Sequence, residues 1–170
     1  KGAKGAKDAK KAAAALTETK AALDAAVSDA RKQIKQALQD LMRLNERAET
    51  VELNSLAGSA YKRLATIETN LGNEAAAQAA IAEMRRYYEK AVEQARKSAS
   101  AELFYPGLNL LVAQMSARRG PAKALDAALV AEIRASIKAR VADDPDFWSV
   151  AVDTARLEAK RRGRPFHYFT

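Results

Sequence analysis

The stretch LNSLAGSAYKRLATIETNLG at residues 53–72, followed by NEAAAQAAIAEMRRYYEKAVEQARKSA at residues 73–99, decides the fold. In the first half, apolar residues recur at Leu53, Leu56, Ala60 with Tyr61, Leu64, Ile67 and Leu71. Steps of three and four place these residues along one side of a helix, which predicts the packing stripe. Gly72-Asn73 then interrupts the pattern, and both residue types tolerate the left-handed backbone that ends a helix. The stripe resumes at Ala77, Ile81, Met84, Tyr88, Ala91 with Val92, and Ala95. Two antiparallel helices joined by a tight turn are expected.

Working outward toward the N-terminus, Leu23, Val27, Ala30, Ile34, Ala37, Leu41 and Leu44 alternate steps of four and three. This is a coiled-coil-like seam, and it requires a partner helix, either the next helix of the chain or residues 17–47 of a second copy. A break is expected within 45–51. On the other side, Phe104-Tyr105-Pro106-Gly107 opens a new unit, since Pro suits a first helical turn. The run LNLLVAQMSARRG aligns with LNSLAGSAYKRLA at an offset of 55, pairing Leu53 with Leu108, Asn54 with Asn109, Leu56 with Leu111 and Arg63 with Arg118. A helical hairpin used twice is the reading. Leu125, Leu129, Ile133, Ile137 and Val141 mark the following helix. Asp143-Asp144-Pro145-Asp146 reads as an end and a fresh start, and Phe147, Val150, Ala151, Thr154 and Leu157 form the last stripe.

The chain has 170 residues, 48% hydrophobic but only 6% aromatic, so its core is alanine-rich and thin. Seven Gly and four Pro are few and fit long helices with short connections. The net charge is +8, of which residues 1–16 carry +4 (five Lys, one Asp) and residues 155–170 carry +4 (five Lys or Arg, one Glu). The middle is therefore neutral, and the whole-surface basicity of a dedicated nucleic-acid binder is not indicated. The resulting division is a basic Lys/Ala-rich segment at 1–16, a helical-repeat domain at 17–162 and a tail at 163–170. With no Cys, no apolar run near 18 residues and no signal peptide, a cytoplasmic protein without disulfides is expected.

Catalytic signatures fail one by one. Ser59-Ala-Tyr-Lys62 spells S-x-x-K without its companion elements. The acidic run at 143–146 lacks the glycine and distant glutamate of an EF-hand and reads as a helix cap. His167 is the only histidine, and no phosphate-cradling glycine loop occurs. No enzyme, metal or cofactor is expected. Phe147 reads as an inter-helix plug, and Trp148 beside it as either a plug against a neighbouring helix or a partner anchor.

Ala57-Gly58 followed by Tyr61 resembles the crossing point in the first helix of a tetratricopeptide repeat, with Ala77, Ile81 and Met84 in the small, large and small packing positions of the second. The stretches LNSLAGSAYKRLA, FYPGLNLL and DDPDFWSVAVDT also resemble the C-terminal helical region of certain bacterial tetratricopeptide-repeat proteins, over roughly residues 50 to 155. Both helices of the 52–99 hairpin are longer than the family's 34-residue unit allows, and the later hairpin lacks the Gly and Tyr. The resemblance implies an all-α fold of antiparallel hairpins stacked as a short solenoid or bundle, binding a peptide or partner domain in a concave groove. It implies groove-facing roles for Ser55, Ser59, Lys62 and Arg63, with Asn109 and Arg118 on the repeated helix. The expected function is a non-catalytic protein–protein interaction scaffold or adaptor. The alternative is binding of nucleic acid or an anionic surface by the basic ends, with steep salt dependence; a helical coat on an apolar surface is a third class.

Overall fold

The computed structural model describes residues 2–117 and 126–143, together with the single positions 154, 157, 158 and 161; among the side chains of these, those of residues 2–10, 12 and 101 are not described. Among the described residues up to 143, five α-helices follow one another: α1 (Gly2–Arg47), α2 (Val51–Asn70), α3 (Glu74–Lys97), α4 (Phe104–Ser116) and α5 (Ala127–Asp143). A single 3₁₀ turn, Ala101–Leu103, leads into α4. The chain breaks where short polar residues can satisfy free amide groups. Thr50 caps α2 by accepting from the Leu53 amide at 3.1 Å, and Asp126 accepts from the amides of Ala128 and Leu129 ahead of α5. Gly72, with φ of +72°, reverses the chain between α2 and α3. Ala99 takes the left-handed position after α3 (φ 48°) without a glycine to announce it.

The main core lies between α3, α4 and α5. Met84, Tyr88, Val92 and Ala95 meet Leu103, Phe104, Leu110, Leu111 and Ala113, and Leu129, Ile133 and Ile137 close it from α5. The stripe expected on α3 is buried at every position. The buried Ser136 hydroxyl accepts the Phe104 amide at 2.9 Å, so α5 caps the start of α4. Two glycines mark where helix axes come closest: a Cβ at Gly58 would lie 2.8 Å from the Tyr88 ring, and one at Gly107 would lie 2.6 Å from Ile133 Cγ1.

Three expectations are corrected here. On α2, Leu56 and Leu71 are exposed and Leu53, Leu64 and Ile67 only half-buried, while Asn54, Ser55, Ala57, Gly58, Ala60, Ala65 and Glu68 are buried. The helix is held between α1 and α3, so its closest approaches fall to small residues and its larger ones lie at the margins. In α1, Leu38 takes the inward position expected of Ala37, because the facing surface of Ala57 and Ala60 has room for the larger side chain. The repeat is also shifted: the glycines that admit a crossing helix, Gly58 and Gly107, lie 49 positions apart rather than 55. The second hairpin therefore has its glycine, and Leu110 stands where Tyr61 stands in the first. The aspartate run at 144–146, Phe147, Trp148 and His167 lie outside the described residues.

Helix α1 packs on α2 only along its C-terminal part. Ile34, Leu38 and Leu41 meet Ala57, Ala60, Tyr61 and Tyr87, with Tyr61 stacked on Tyr87 at 5.6 Å between centroids. Asn45 donates to Asn54 at one end, and at the other Arg31 forks onto Glu68 at 2.7 and 2.6 Å. The seam thus finds its partner within the chain. Glu68 is two residues from the end of α2, so the part of α1 before about residue 28 projects past it by roughly 39 Å at 1.5 Å per residue. Leu16 and Leu23 on that arm are 72% and 56% exposed.

Glu68 is a buried carboxylate in this arrangement. Arg31 holds it below its usual 4.5, and the Asn73 side-chain amide, donating at 2.9 Å, adds to the effect. A carboxyl lowered in the folded state contributes stability above its unfolded value and loses it as pH falls through the folded one. Wild-type unfolding midpoints in urea are accordingly expected to drop below pH 4.5 more steeply than those of Glu68→Gln. Parallel acid limbs would show that the ion pair does not anchor α1.

A candidate partner-binding cleft

Helices α2 and α4 both pack on α3 and run in the same direction, because the α3 that joins them returns the chain to its start. They bridge at their middles. Lys62 Nζ donates to Asn109 Oδ1 at 3.2 Å, and Asn109 donates in turn to the Tyr105 carbonyl. The Ser59 hydroxyl lies 2.9 Å from the Tyr88 hydroxyl and 3.3 Å from that of Tyr105. On each side of the bridges is a cavity of about 400 Å³. One sits at the starts of α2 and α4, lined by Val51, Glu52, Ser55, Leu56, Glu102 and Phe104 to Pro106. The other lies toward the ends of those helices, over the first turns of α3, and includes Lys62, Thr66, Gln78 and Met84.

Tyr88 supports the Ser59 bridge from within the core and lines neither cavity. Its ring is fully buried, and burial pushes its hydroxyl up to about 12, opposed in part by the Ser59 hydrogen bond. The phenol is neutral at physiological pH, so it holds Ser59 in place without bringing charge. The walls differ in sign, with Lys62 and Arg63 exposed beside the middle of the cleft and Glu52 and Glu102 at its upper end.

Of the groove residues expected from the sequence, Ser59, Lys62 and Asn109 meet in the bridges. Ser55 lines the upper cavity but is only 4% exposed, and its hydroxyl is buried without a hydrogen-bond partner. Arg63 is exposed one position from Lys62, and Arg118 lies outside the described residues. The S-x-x-K spelling does not become a serine–lysine pair: Ser59 is engaged by two phenols and Lys62 turns to Asn109. Sequence reasoning missed Glu52, Leu56, Glu102 and Tyr105. Leu56 was assigned to the packing stripe, and the other three bear on a site only once α4 is laid beside α2.

The family model of TPR-S, Tetratricopeptide Repeats-Sensor, matches residues 3–115. The chain belongs to this family. The matched region takes in α1 through nearly all of α4, so the N-terminal helix is part of the TPR-S unit, although the resemblance read from the sequence began near residue 50. Comparison with curated proteins and with solved structures gave no match. A TPR-S domain is of tetratricopeptide type, a class that at a general level mediates protein–protein interaction and is generally non-catalytic. Among the described residues, no group of three or more His, Asp or Glu side chains is placed to hold a metal ion, and no helix is long and apolar enough to cross a membrane.

Proposed function

We propose that this TPR-S chain is a non-catalytic adaptor that holds a segment of a partner protein in the cleft between α2 and α4. The observation that carries this reading is that Leu56 and Tyr105, two large apolar side chains 46% and 44% exposed, stand at the cleft beside the polar bridges of Ser59, Lys62 and Asn109. Apolar anchors next to unspent polar capacity are what a peptide-binding groove requires. Ser55, Ser59, Lys62, Arg63, Asn109 and Arg118 are the proposed contact residues, within an interaction domain of residues 17–162. The family description includes the word sensor; in this reading the event sensed is the filling of the cleft.

A displayed random-peptide library selected on the full chain tests the proposal. Selected peptides are expected to bind at least about tenfold more weakly to Lys62→Ala and Arg63→Glu chains, a loss of roughly 1.4 kcal/mol. Arg85→Glu, on the exposed side of α3, is expected to leave binding unchanged. Selected peptides indifferent to both cleft variants would sink the proposal.

A second reading, contact of the basic ends with nucleic acid or an anionic surface, draws on the projecting arm of α1, which carries Lys4, Lys7, Lys10 and Lys11 beyond the packed helices. Its signature is affinity that falls steeply with salt and vanishes when those lysines are neutralised. Pairing of two copies of the chain, the other use open to this helix, would run through residues 17–47, where Leu23 is exposed.

A further inference from the structure

We infer that the upper cavity of the cleft is a subsite for an arginine side chain of the partner segment, an assignment that rests on the cleft reading above. Its lining combines three features that do not need one another for folding. Glu52, in the first turn of α2, and Glu102, in the 3₁₀ turn before α4, both line it, and neither makes an ion pair among the described residues. Each alone suits the positive end of a helix. Nothing about helix ends requires both carboxylates at one cavity. Leu56 and Tyr105 form its apolar lip and are among the most exposed large hydrophobic residues of the packed helices. Ser55 lines the same cavity, and its hydroxyl is buried and unpaired, a state that costs folding free energy.

A volume of about 400 Å³ is near the small end of ligand pockets and matches a long side chain better than a cofactor. Phosphates and carboxylates are excluded by the two glutamates. A guanidinium suits all the parts at once: its planar fork reaches carboxylates, its face stacks on Tyr105, and its aliphatic stem lies along Leu56. Lysine offers the charge and the stem without the fork or the stacking face.

The test titrates isotope-labelled full chain with Nα-acetyl-arginine amide and follows backbone amide resonances, with the lysine, leucine and glutamate amides as comparison probes. Saturable shifts are expected at 51–56 and 102–106, weaker with the lysine probe and absent with the glutamate probe. The Glu52→Gln/Glu102→Gln chain, altered only at exposed positions, is expected to bind the arginine probe at least about fivefold more weakly while keeping its spectrum elsewhere. Equal response to the leucine probe, or an unaltered affinity in the double variant, would overturn the assignment. If the arginine probe fails while library-selected peptides still need Lys62 and Arg63, the subsite falls and the cleft stands; if those peptides also fail, both fall. Arginine binding seen only in an Arg162→Gln/Arg164→Gln chain would give the cavity to the chain's own basic end and overturn its assignment to a partner.

Discussion

Tyr88→Ala is expected to remove about 3–5 kcal/mol from the unfolding free energy. Tyr88 is fully buried where three helices meet: its ring lies against Gly58 on α2, its hydroxyl reaches Ser59 on α2, and Tyr105 on α4 shares that serine. Deleting the ring leaves a cavity in a core with few other aromatic residues to collapse into it. With typical domain stabilities of about 5–15 kcal/mol, that loss is between about a fifth and the whole of the total. Tyr88→Phe separates packing from hydrogen bonding. It keeps the ring and leaves Ser59 its contact with Tyr105, so its cost is expected near 0.5–1.5 kcal/mol. Urea unfolding followed by far-UV circular dichroism measures both. A loss under about 2 kcal/mol for Tyr88→Ala would mean that the ring does not hold the hairpins together.

How much of this was legible in the sequence differs from helix to helix, and the reasons are physical. Helix α3 buries one broad face, so its apolar stripe from Ala77 to Ala95 marks that face directly. Helix α2 is enclosed on several sides, and close helix approach selects small residues there. Its burial is therefore written in Ala57, Gly58 and Ala60, while its leucines are freed for the edges. Hydrophobicity alone points the wrong way for Leu56. The repeat register was obscured by Leu-Asn-x-Leu, which occurs in both α2 and α4 but in different surroundings: Leu111 is core and Leu56 is cleft lip. Pro106-Gly107 reads as a helix start, and it is one, yet Gly107 also admits Ile133.

The site shows the same division. Ser59, Lys62 and Asn109 were reachable because the family resemblance assigns the outward side of first helices to ligand. The charge character of the upper cavity was not, since Glu52 and Glu102 are 50 positions apart and converge only through the return of α3. Lys62 and Arg63 put two adjacent cations on the exposed side of α2. Lys62 spends part of its hydrogen-bonding capacity on Asn109, and the unpaired acids lie elsewhere along the cleft.

Gly58→Leu is the other change with a large expected effect, a net loss of up to about 2 kcal/mol. Leucine raises helix propensity over glycine by roughly 0.8–1 kcal/mol, so the change would stabilise α2 if nothing stood in its way. Three atoms of the Tyr88 ring stand within 2.8 to 2.9 Å of the first added carbon. That ring is fully buried and cannot swing into solvent, so relief requires α2 and α3 to separate, at an overpacking cost of about 1–3 kcal/mol or more. The contact can be isolated by combining the variants. In a Tyr88→Ala background the ring is gone and the leucine has space to enter, so Gly58→Leu is expected to cost at least about 1 kcal/mol less there than in the wild type. Additive costs would show that the glycine is needed for some reason other than the passage of Tyr88. A favourable coupling would establish that the close approach of α2 to α3 is set by one residue without a side chain against one large ring. Because Tyr88 also holds Ser59, that same contact positions one end of the bridge between α2 and α4.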